Sequence, residues 1–364
     1  MRLSILKTII FSLLPAAVLL VAAELVVRWT GAAEQCPGYE KIFLWTCDPV
    51  LYFRTNPSLK PGGKPLSALG LRGGDRARKL PGVRRVVAIG DSATFGVISH
   101  NPWNGVRILD EPYPEYMQHI ADVQLGPGKM EVINAGVPGF NSYQALMLLR
   151  QRLRGLDADV ITVRLGWNDL FIARVDDGVF RESDSAAMRA MEDVLLRTAL
   201  YPFSRRLGME LRRPANGAPQ GKPERTWRPS VPLDLFEHNL RRIVEIGRAD
   251  GAEVWLITSS DPLGTEADQA RYGTAGEPSA AVLTLRLNRI ESFAQLAHLR
   301  DQYNEAVRRV AAQTGARLID MAALYRAYGQ PDLFGPYDVV HPNEKGHQFE
   351  AEMLYQALTA DAGP

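Results

Sequence analysis

The sequence predicts an α/β fold with a central parallel sheet of about five strands. Five short runs rich in β-branched and other apolar residues are each long enough for one strand, and they occupy residues 84–90, 130–134, 158–166, 253–258 and 316–320. Near-continuous apolar runs of this length are typical of parallel strands that are covered on both faces. Helical patterns separate the runs, and such alternation predicts a parallel sheet with right-handed crossovers.

Four helices are predicted between these runs, because apolar residues recur there at the spacing of one helical face. The four predicted helices cover residues 114–125, 142–153, 234–248 and 301–314. Ser142 is the predicted N-cap of the second helix, since a serine hydroxyl accepts hydrogen bonds from the N–H groups of a first turn.

Two longer segments, residues 172–230 and 263–285, interrupt the alternation and are predicted to be inserts. The first contains one helical stretch near residues 185–196, and the second is polar and predicted to be a loop. Both follow the carboxyl ends of strands, where α/β sheets form their ligand crevices. They are therefore predicted to form a lid over the site, with plain surface loops as the alternative.

Composition and charge are those of an ordinary folded protein. The chain has 364 residues, of which 46% are hydrophobic, and this is enough to bury a substantial core. Lysine and arginine total 42 against 41 aspartates and glutamates, which gives a formal net charge of +1. Proteins that bind nucleic acid typically carry a basic excess, so we expect no nucleic acid partner. The sequence by itself indicates no oligomeric state.

The first 30 residues are predicted to be a transmembrane anchor or a signal peptide. Arg2 and Lys7 precede an apolar run over residues 8–27, which is about long enough to cross a bilayer and has one acid, Glu24, near its far end. Basic residues before the run predict a cytoplasmic N-terminus and a periplasmic or extracellular location for the rest of the chain. In the alternative, cleavage at the small residues 31–33 would secrete the protein.

Residues 31–82 are predicted to be an irregular linker, and residues 83–358 to be the main domain. Proline and glycine cluster in the linker, where they interrupt regular structure. The two cysteines of the chain, Cys36 and Cys47, lie there as well. Because exported compartments are usually oxidising, we expect a disulfide between them, with two free thiols as the alternative.

A serine at the end of the first strand is the candidate nucleophile. The run over residues 84–90 leads directly into Asp91 and Ser92, so Ser92 lies at the C-terminal edge of the predicted sheet. A serine hydroxyl becomes an effective nucleophile when a neighbouring base removes its proton. Position 94 is threonine rather than glycine, which argues against the Gly-x-Ser-x-Gly nucleophile elbow of α/β-hydrolases.

Three later segments supply groups that would complete a site around this serine. Gly139 lies in a loop after the second strand, and its N–H is a candidate donor to an oxyanion. Asn168 follows the third strand, and its side-chain amide is a second candidate donor. Asp338 precedes His341 by three residues, so its carboxylate can orient the imidazole as a general base.

These segments, taken in order, resemble the four sequence blocks of the SGNH/GDSL hydrolase superfamily over about residues 84–350. The matching residues are Gly90-Asp91-Ser92, Gly139, Gly166-x-Asn168-Asp169 and Asp338-x-x-His341. The resemblance implies a flavodoxin-like, three-layer α/β/α sandwich around the parallel sheet. It also implies that Ser92, Asp338 and His341 are catalytic, and that the N–H groups of Ser92 and Gly139 form an oxyanion hole with the Asn168 side chain.

The resemblance further implies a serine esterase that cleaves carboxylic esters through an acyl-enzyme, with no metal ion and no organic cofactor. For an exported enzyme tethered to the membrane, we expect an acylated substrate, either an O-acylated envelope polysaccharide, a lipid or a small molecule. Two alternatives stay open. One is an O-acyltransferase that uses the same serine, and the other is a non-catalytic envelope-assembly or carbohydrate-binding protein of the same fold.

Overall fold

The computed structural model describes residues 2–35, 43–73, 79–99, 105–171, 181–212, 227–273, 279–329 and 331–360. In chain order the strands are β1 (Trp45–Asp48), β2 (Tyr52–Thr55), β3 (Arg84–Gly90), β4 (Val97–Ser99), β5 (Val106–Ile108), β6 (Met130–Gly136), β7 (Val160–Arg164), β8 (Glu253–Ile257) and β9 (Arg317–Ile319). The helices are α1 (Arg2–Thr30), α2 (Ser92–Phe95), α3 (Tyr113–Gln124), α4 (Ser142–Leu148), α5 (Trp167–Leu170), α6 (Ala186–Leu195), α7 (Leu200–Arg212), α8 (Leu233–Ala249), α9 (Glu266–Gly273), α10 (Ala280–Leu287), α11 (Phe293–Thr314), α12 (Met321–Tyr328) and α13 (Glu344–Ala360).

The chain divides into two compact units. Unit 1 comprises Met1–Arg54 and Glu182–Pro219, and unit 2 comprises Thr55–Arg181 and Gln220–Pro364.

Unit 2 contains a five-stranded sheet in the order β6-β3-β7-β8-β9, in which all neighbouring strands are parallel. Each of the five apolar runs forms one of these strands, so the predicted α/β sheet is confirmed. After β3 the chain adds β6 on one side and later β7 on the other, which makes the carboxyl end of β3 a switch point. In open α/β sheets, ligands bind in the crevice at such a point.

Helices cover both faces of this sheet. On one face, Val86, Ala88 and Trp255 belong to a buried apolar cluster that includes Met117 of α3 and Leu354 of α13. On the opposite face, α8 packs against α4 and α11, and both α8 and α11 contact β8. Side chains alternate across a strand, and those of β3 are buried from its second residue to its last. The three-layer α/β/α sandwich is therefore confirmed.

Some local predictions need correction. The N-cap of α4 is Asn141 and not Ser142, because the Asn141 side chain accepts from the Gln144 N–H at 3.0 Å and the Gln144 side chain bonds back to the Asn141 N–H. Asparagine and serine are about equally good caps, so their adjacency hid the boundary. The segment 263–285 is not simply a loop, since it contains α9 and most of α10.

Unit 1 contains the long apolar helix α1, helices α6 and α7, and the two-stranded sheet of β1 and β2. Helix α6 matches the helical stretch predicted near residues 185–196, whereas α7 was not predicted. Arg206 of α7 donates to the carbonyl oxygens of Ala32 and Ala33, which ties α7 to the turn that follows α1. Cys47 is disulfide-bonded. Its predicted partner Cys36 lies outside the described residues, so that pairing stays a prediction.

Candidate active site

The carboxyl end of β3 presents Ser92 at the first residue of the short helix α2. Asp91 caps this helix, because its side chain accepts from the Ala93 N–H at 3.0 Å. The backbone of α2 lies directly against the end of β6, where a Cβ on Gly136 would lie only 2.5 Å from the Phe95 nitrogen. Glycine at the end of β6 therefore permits the close approach that fixes the position of the serine.

The structure brings Ser92, His341 and Asp338 together in one hydrogen-bonded chain. The Ser92 Oγ lies 2.8 Å from the His341 Nε2, although the two residues are 249 positions apart in the sequence. The His341 Nδ1 lies 2.8 Å from the Asp338 Oδ2. An ionised carboxylate only accepts hydrogen bonds, so Nδ1 carries the proton and Nε2 accepts from the serine hydroxyl.

The Asp338 carboxylate is held by four N–H donors. Its Oδ1 accepts from the backbone N–H groups of Val340 at 2.9 Å and His341 at 3.0 Å. Its Oδ2 accepts from the Ser99 N–H at 2.9 Å as well as from the imidazole. Burial alone would raise the pKa of Asp338, but the charge of His341 and these hydrogen bonds outweigh it and lower the pKa to about 2.

The interaction between Asp338 and His341 changes the pKa of the histidine in the opposite direction. Burial would lower the pKa of His341, but the nearby Asp338 carboxylate stabilises the imidazolium and the net effect is a raised pKa. A histidine of raised basicity, hydrogen-bonded to a serine hydroxyl, can accept that hydroxyl's proton during an attack on a carbonyl group.

The loop that carries Gly139 is fixed to the end of β3. The Val137 N–H donates to the Gly90 carbonyl at 3.0 Å, and the Phe140 N–H donates to the Val137 carbonyl at 3.1 Å. Gly139 has a φ of 86°, a left-handed conformation that favours glycine. Among the described residues, the N–H groups of Ser92 and Gly139 have no hydrogen-bond acceptor.

Asn168 lies on the short helix α5, which follows β7. One N–H of its side chain donates to the Phe140 carbonyl at 2.9 Å, so the amide adjoins the Gly139 loop and keeps a second N–H for another acceptor. The backbone carbonyl of Asn168 accepts from the Ser230 hydroxyl at 2.5 Å. The next residue, Asp169, accepts from the Ser142 N–H at 2.9 Å, and burial raises its pKa to about 7.

A buried ion pair next to these groups was not predicted. Arg164, the last residue of β7, pairs with Glu350 of α13 at 2.8 Å, and their side chains are only 2% and 1% exposed. The positive charge of Arg164 opposes the burial that raises the pKa of Asp91, and it also opposes the rise in the pKa of His341. The charge of Glu350 raises the pKa of Arg164 despite the burial. The sequence held one signal, a charged residue inside the third apolar run, but nothing in it identified the partner 186 positions away.

Within the described ranges, no group of three or more histidine, cysteine, aspartate or glutamate residues is arranged to hold a metal ion.

Comparison with known proteins gives the following similarities. Residues 88–349 match the GDSL-like Lipase/Acylhydrolase family. A lipase/acylhydrolase from Enterococcus faecalis is 17% identical, with a TM-score of 0.46 over 76% of this chain and 96% of that one. The acetylxylan esterase Axe2 from Geobacillus stearothermophilus, in a catalytic-mutant form, is 17% identical, with a TM-score of 0.44 over 77% and 95%. No curated protein matches the chain.

Proposed function

The chain belongs to the GDSL-like lipase/acylhydrolase family, and from this premise we propose that it is a serine esterase with Ser92 as its nucleophile. The observation that carries the proposal is the 2.8 Å contact between the Ser92 Oγ and the His341 Nε2. The contact between His341 and Asp338 supports the proposal as well, because the Asp338 carboxylate orients the imidazole and stabilises its protonated form.

In the proposed first step, the Ser92 Oγ attacks the ester carbonyl carbon while its proton passes to the His341 Nε2. The tetrahedral intermediate then expels the alcohol, which takes the proton back from His341 and leaves an acyl group on the serine. In the second step, water attacks the acyl-enzyme, His341 accepts its proton, and the carboxylic acid leaves as the serine hydroxyl is restored.

The proposed oxyanion hole consists of the N–H groups of Ser92 and Gly139 and the Asn168 amide. Its support is the close packing of the three segments, since the Gly139 loop bonds to the end of β3 and to Asn168. Donors of this kind act on charge that develops in the transition state, and removal of one typically lowers turnover about 10²- to 10³-fold.

We further propose that α1 is a retained anchor and that the rest of the chain, including the hydrolase domain at residues 83–358, is extracytoplasmic. Helix α1 is long and apolar enough to cross a membrane, a property it shares with signal sequences. Retention is supported by the turn after α1, because Ala33 is buried there and Arg206 binds the carbonyl groups of both residues 32 and 33. Cleavage at this turn would discard these contacts, which a retained helix keeps.

An enzyme held at the outer surface of a membrane meets the polymers and lipids of the cell envelope. We therefore propose an O-acylated envelope polysaccharide or an envelope lipid as the substrate. A series of p-nitrophenyl esters of increasing chain length, assayed beside acetylated xylan and acetylated peptidoglycan, tests this choice. Preference for acetyl groups supports a polysaccharide deacetylase, and preference for long acyl chains supports a lipase.

The nucleophile is tested by covalent labelling with a fluorophosphonate, which reacts with activated serines. We expect Ser92→Ala to abolish both labelling and ester cleavage while its thermal unfolding stays that of the parent. Ser58→Ala is the matched control, since Ser58 is an exposed serine of the same unit. Equal labelling of the parent and the Ser92→Ala variant would contradict the proposal.

A further inference from the structure

Glu24, the one acid in the apolar run of α1, has partners in the turn that leads into α7. Its carboxylate accepts from the Ala199 N–H at 2.9 Å and from the Leu200 N–H at 2.7 Å. It also pairs with Arg28 at 2.6 Å, and Arg28 in turn donates to the Arg197 carbonyl at 3.2 Å. Acids in apolar helices are retained where such partners satisfy them. The corner between α6 and α7 is therefore fixed to α1 at the level of Glu24.

The level of this corner follows from the geometry of α1. Lys7 and Arg28 bound the apolar part of the helix, and 21 residues at about 1.5 Å each place them about 31 Å apart. This distance matches a hydrocarbon core of about 30 Å, so Arg28 would lie at its outer boundary. Glu24 is one turn, about 6 Å, further inside. Interfacial helices lie at a similar depth, about 5–10 Å into the boundary between headgroups and acyl chains.

Both α6 and α7 expose apolar side chains that would suit this environment. Helix α6 has no buried residue, although it is strongly amphipathic. Met188, Met191 and Val194 recur every three residues along one face of α6, and all three are exposed. Leu207 and Leu211 lie four residues apart on α7, and Leu211 is 77% exposed. The two helices therefore present apolar stripes to their surroundings.

Other side chains of unit 1 are consistent with a membrane boundary. Trp29, at the outer end of α1, is 89% exposed, and tryptophan is enriched where a membrane meets water. Glu192 of α6 pairs with Arg205 of α7 at 3.5 Å, and both side chains are largely buried between the helices. The charged groups of the pair thus face each other, which leaves the apolar stripes for another partner.

We propose that α6 and α7 form an interfacial hairpin, defined as residues 186–212, whose corner at residues 196–200 enters the outer boundary of the bilayer crossed by α1. Further along α7, Arg206 already binds the carbonyl groups of residues 32 and 33, beyond Arg28. The partner of the hairpin is lipid, at the level where headgroups join acyl chains. The inference rests on the proposed membrane anchoring by α1, because the depth of the corner is counted along that helix. The hairpin gives the protein a second, monotopic contact with the same membrane.

Spin labels on the full chain in phosphatidylcholine vesicles test this arrangement. One cysteine is introduced at a time, as Val194→Cys on the apolar stripe next to the corner, Ala186→Cys at the exposed far end of α6 and outside the stripe, and Val18→Cys in the apolar part of α1. Cys47 is disulfide-bonded and does not compete for the label. Oxygen concentrates in lipid and a nickel chelate stays in water, so their relaxation effects report the surroundings of each label. We expect the oxygen-to-nickel ratio at position 194 to approach that at position 18 and to exceed that at position 186 severalfold.

The other outcomes would overturn the proposal in distinguishable ways. If position 194 behaves like position 186 while position 18 is in lipid, the hairpin lies in water and only the anchor stands. If position 18 is also in water, the proposed anchoring itself fails. If position 194 is shielded from both oxygen and nickel, protein covers the stripe, as a second copy of the chain would.

Discussion

Substitution of Asp338 by asparagine is the sharpest test of the proposed proton transfer. Each carboxylate oxygen accepts two hydrogen bonds, with Val340 and His341 N–H groups at one oxygen and the Ser99 N–H and the imidazole at the other. In Asp338→Asn one of these oxygens becomes an NH₂ group, which faces two donors whichever way the amide is turned. The favoured orientation places the NH₂ group at the imidazole, because the histidine can change tautomer and accept whereas backbone N–H groups cannot. The histidine then loses the acceptor that fixes its tautomer.

The size of the effect follows from the pKa. A pKa of about 2 for Asp338, against its ordinary value of 3.8, means that the folded protein favours the carboxylate by about 2 kcal/mol. Because the pKa is lowered in the folded state, this stability is present above pH 3.8 and is lost as the pH falls towards 2. The variant should therefore be about 2 kcal/mol less stable at neutral pH. Turnover should fall about 10⁴-fold, since a histidine in the wrong tautomer cannot accept the serine proton.

The assay combines urea unfolding with hydrolysis of p-nitrophenyl acetate. Asp332→Asn is the control, because Asp332 is a half-exposed acid that pairs with Lys345 at 2.5 Å, and exposed pairs contribute little to stability. Turnover of Asp338→Asn within about tenfold of the parent would refute the reasoning, because it would leave the carboxylate without its role in the proton transfer.

Three further predictions concern the surroundings of the site. Glu350→Ala leaves the buried Arg164 guanidinium unpaired, so the free energy of unfolding should fall by about 3–5 kcal/mol in thermal or urea unfolding. Gly136→Ala places a Cβ 2.5 Å from the Phe95 nitrogen, and the displaced helix α2 should slow fluorophosphonate labelling by up to about 10²-fold. The pH profile of kcat/KM should rise with an apparent pKa above the ordinary 6.5, because the pKa of His341 is raised and only its neutral form accepts a proton.

Each of these predictions has its own control. Glu352→Ala removes an exposed acid of the same helix as Glu350 and should change stability by less than about 0.5 kcal/mol, so equal losses in the two variants would contradict the role of the ion pair. Gly155→Ala adds a Cβ with nothing within 4 Å and should leave labelling unchanged. For His341, a rate profile that rises below pH 6.5 is the contrary result. A raised pKa also stabilises the fold below pH 6.5, and this contribution is lost as the pH rises through the folded-state pKa.

The sheet was predictable from sequence because its signal is local. Each strand is a short apolar run, and the alternation with amphipathic helices fixes the fold class without any knowledge of long-range contacts. Ser92, Asp338 and His341 were singled out by short motifs, and their contact is present in the structure, while their roles in catalysis remain proposals.

What the sequence did not yield depends on contacts between distant segments. The pairing of Arg164 with Glu350 joins the end of a strand to the last helix, and no local pattern encodes it. The sequence indicated no structural role for Glu24, an acid within an apolar run, because the N–H groups that it binds lie about 175 residues away. Helix α7 begins at those same N–H groups, and its start is capped by that distant side chain together with the neighbouring Thr198 hydroxyl, which accepts from the Tyr201 N–H.

The separation of 249 residues between Ser92 and His341 has a consequence for biosynthesis. At about 5–20 residues per second, a ribosome completes the histidine some 12–50 seconds after the serine. During that interval the growing polypeptide carries the proposed nucleophile without the proposed base, so we expect it not to react with esters. A nascent chain stalled before residue 341 should accordingly be inert towards a fluorophosphonate, and reactivity should begin only with the closing stretch of translation.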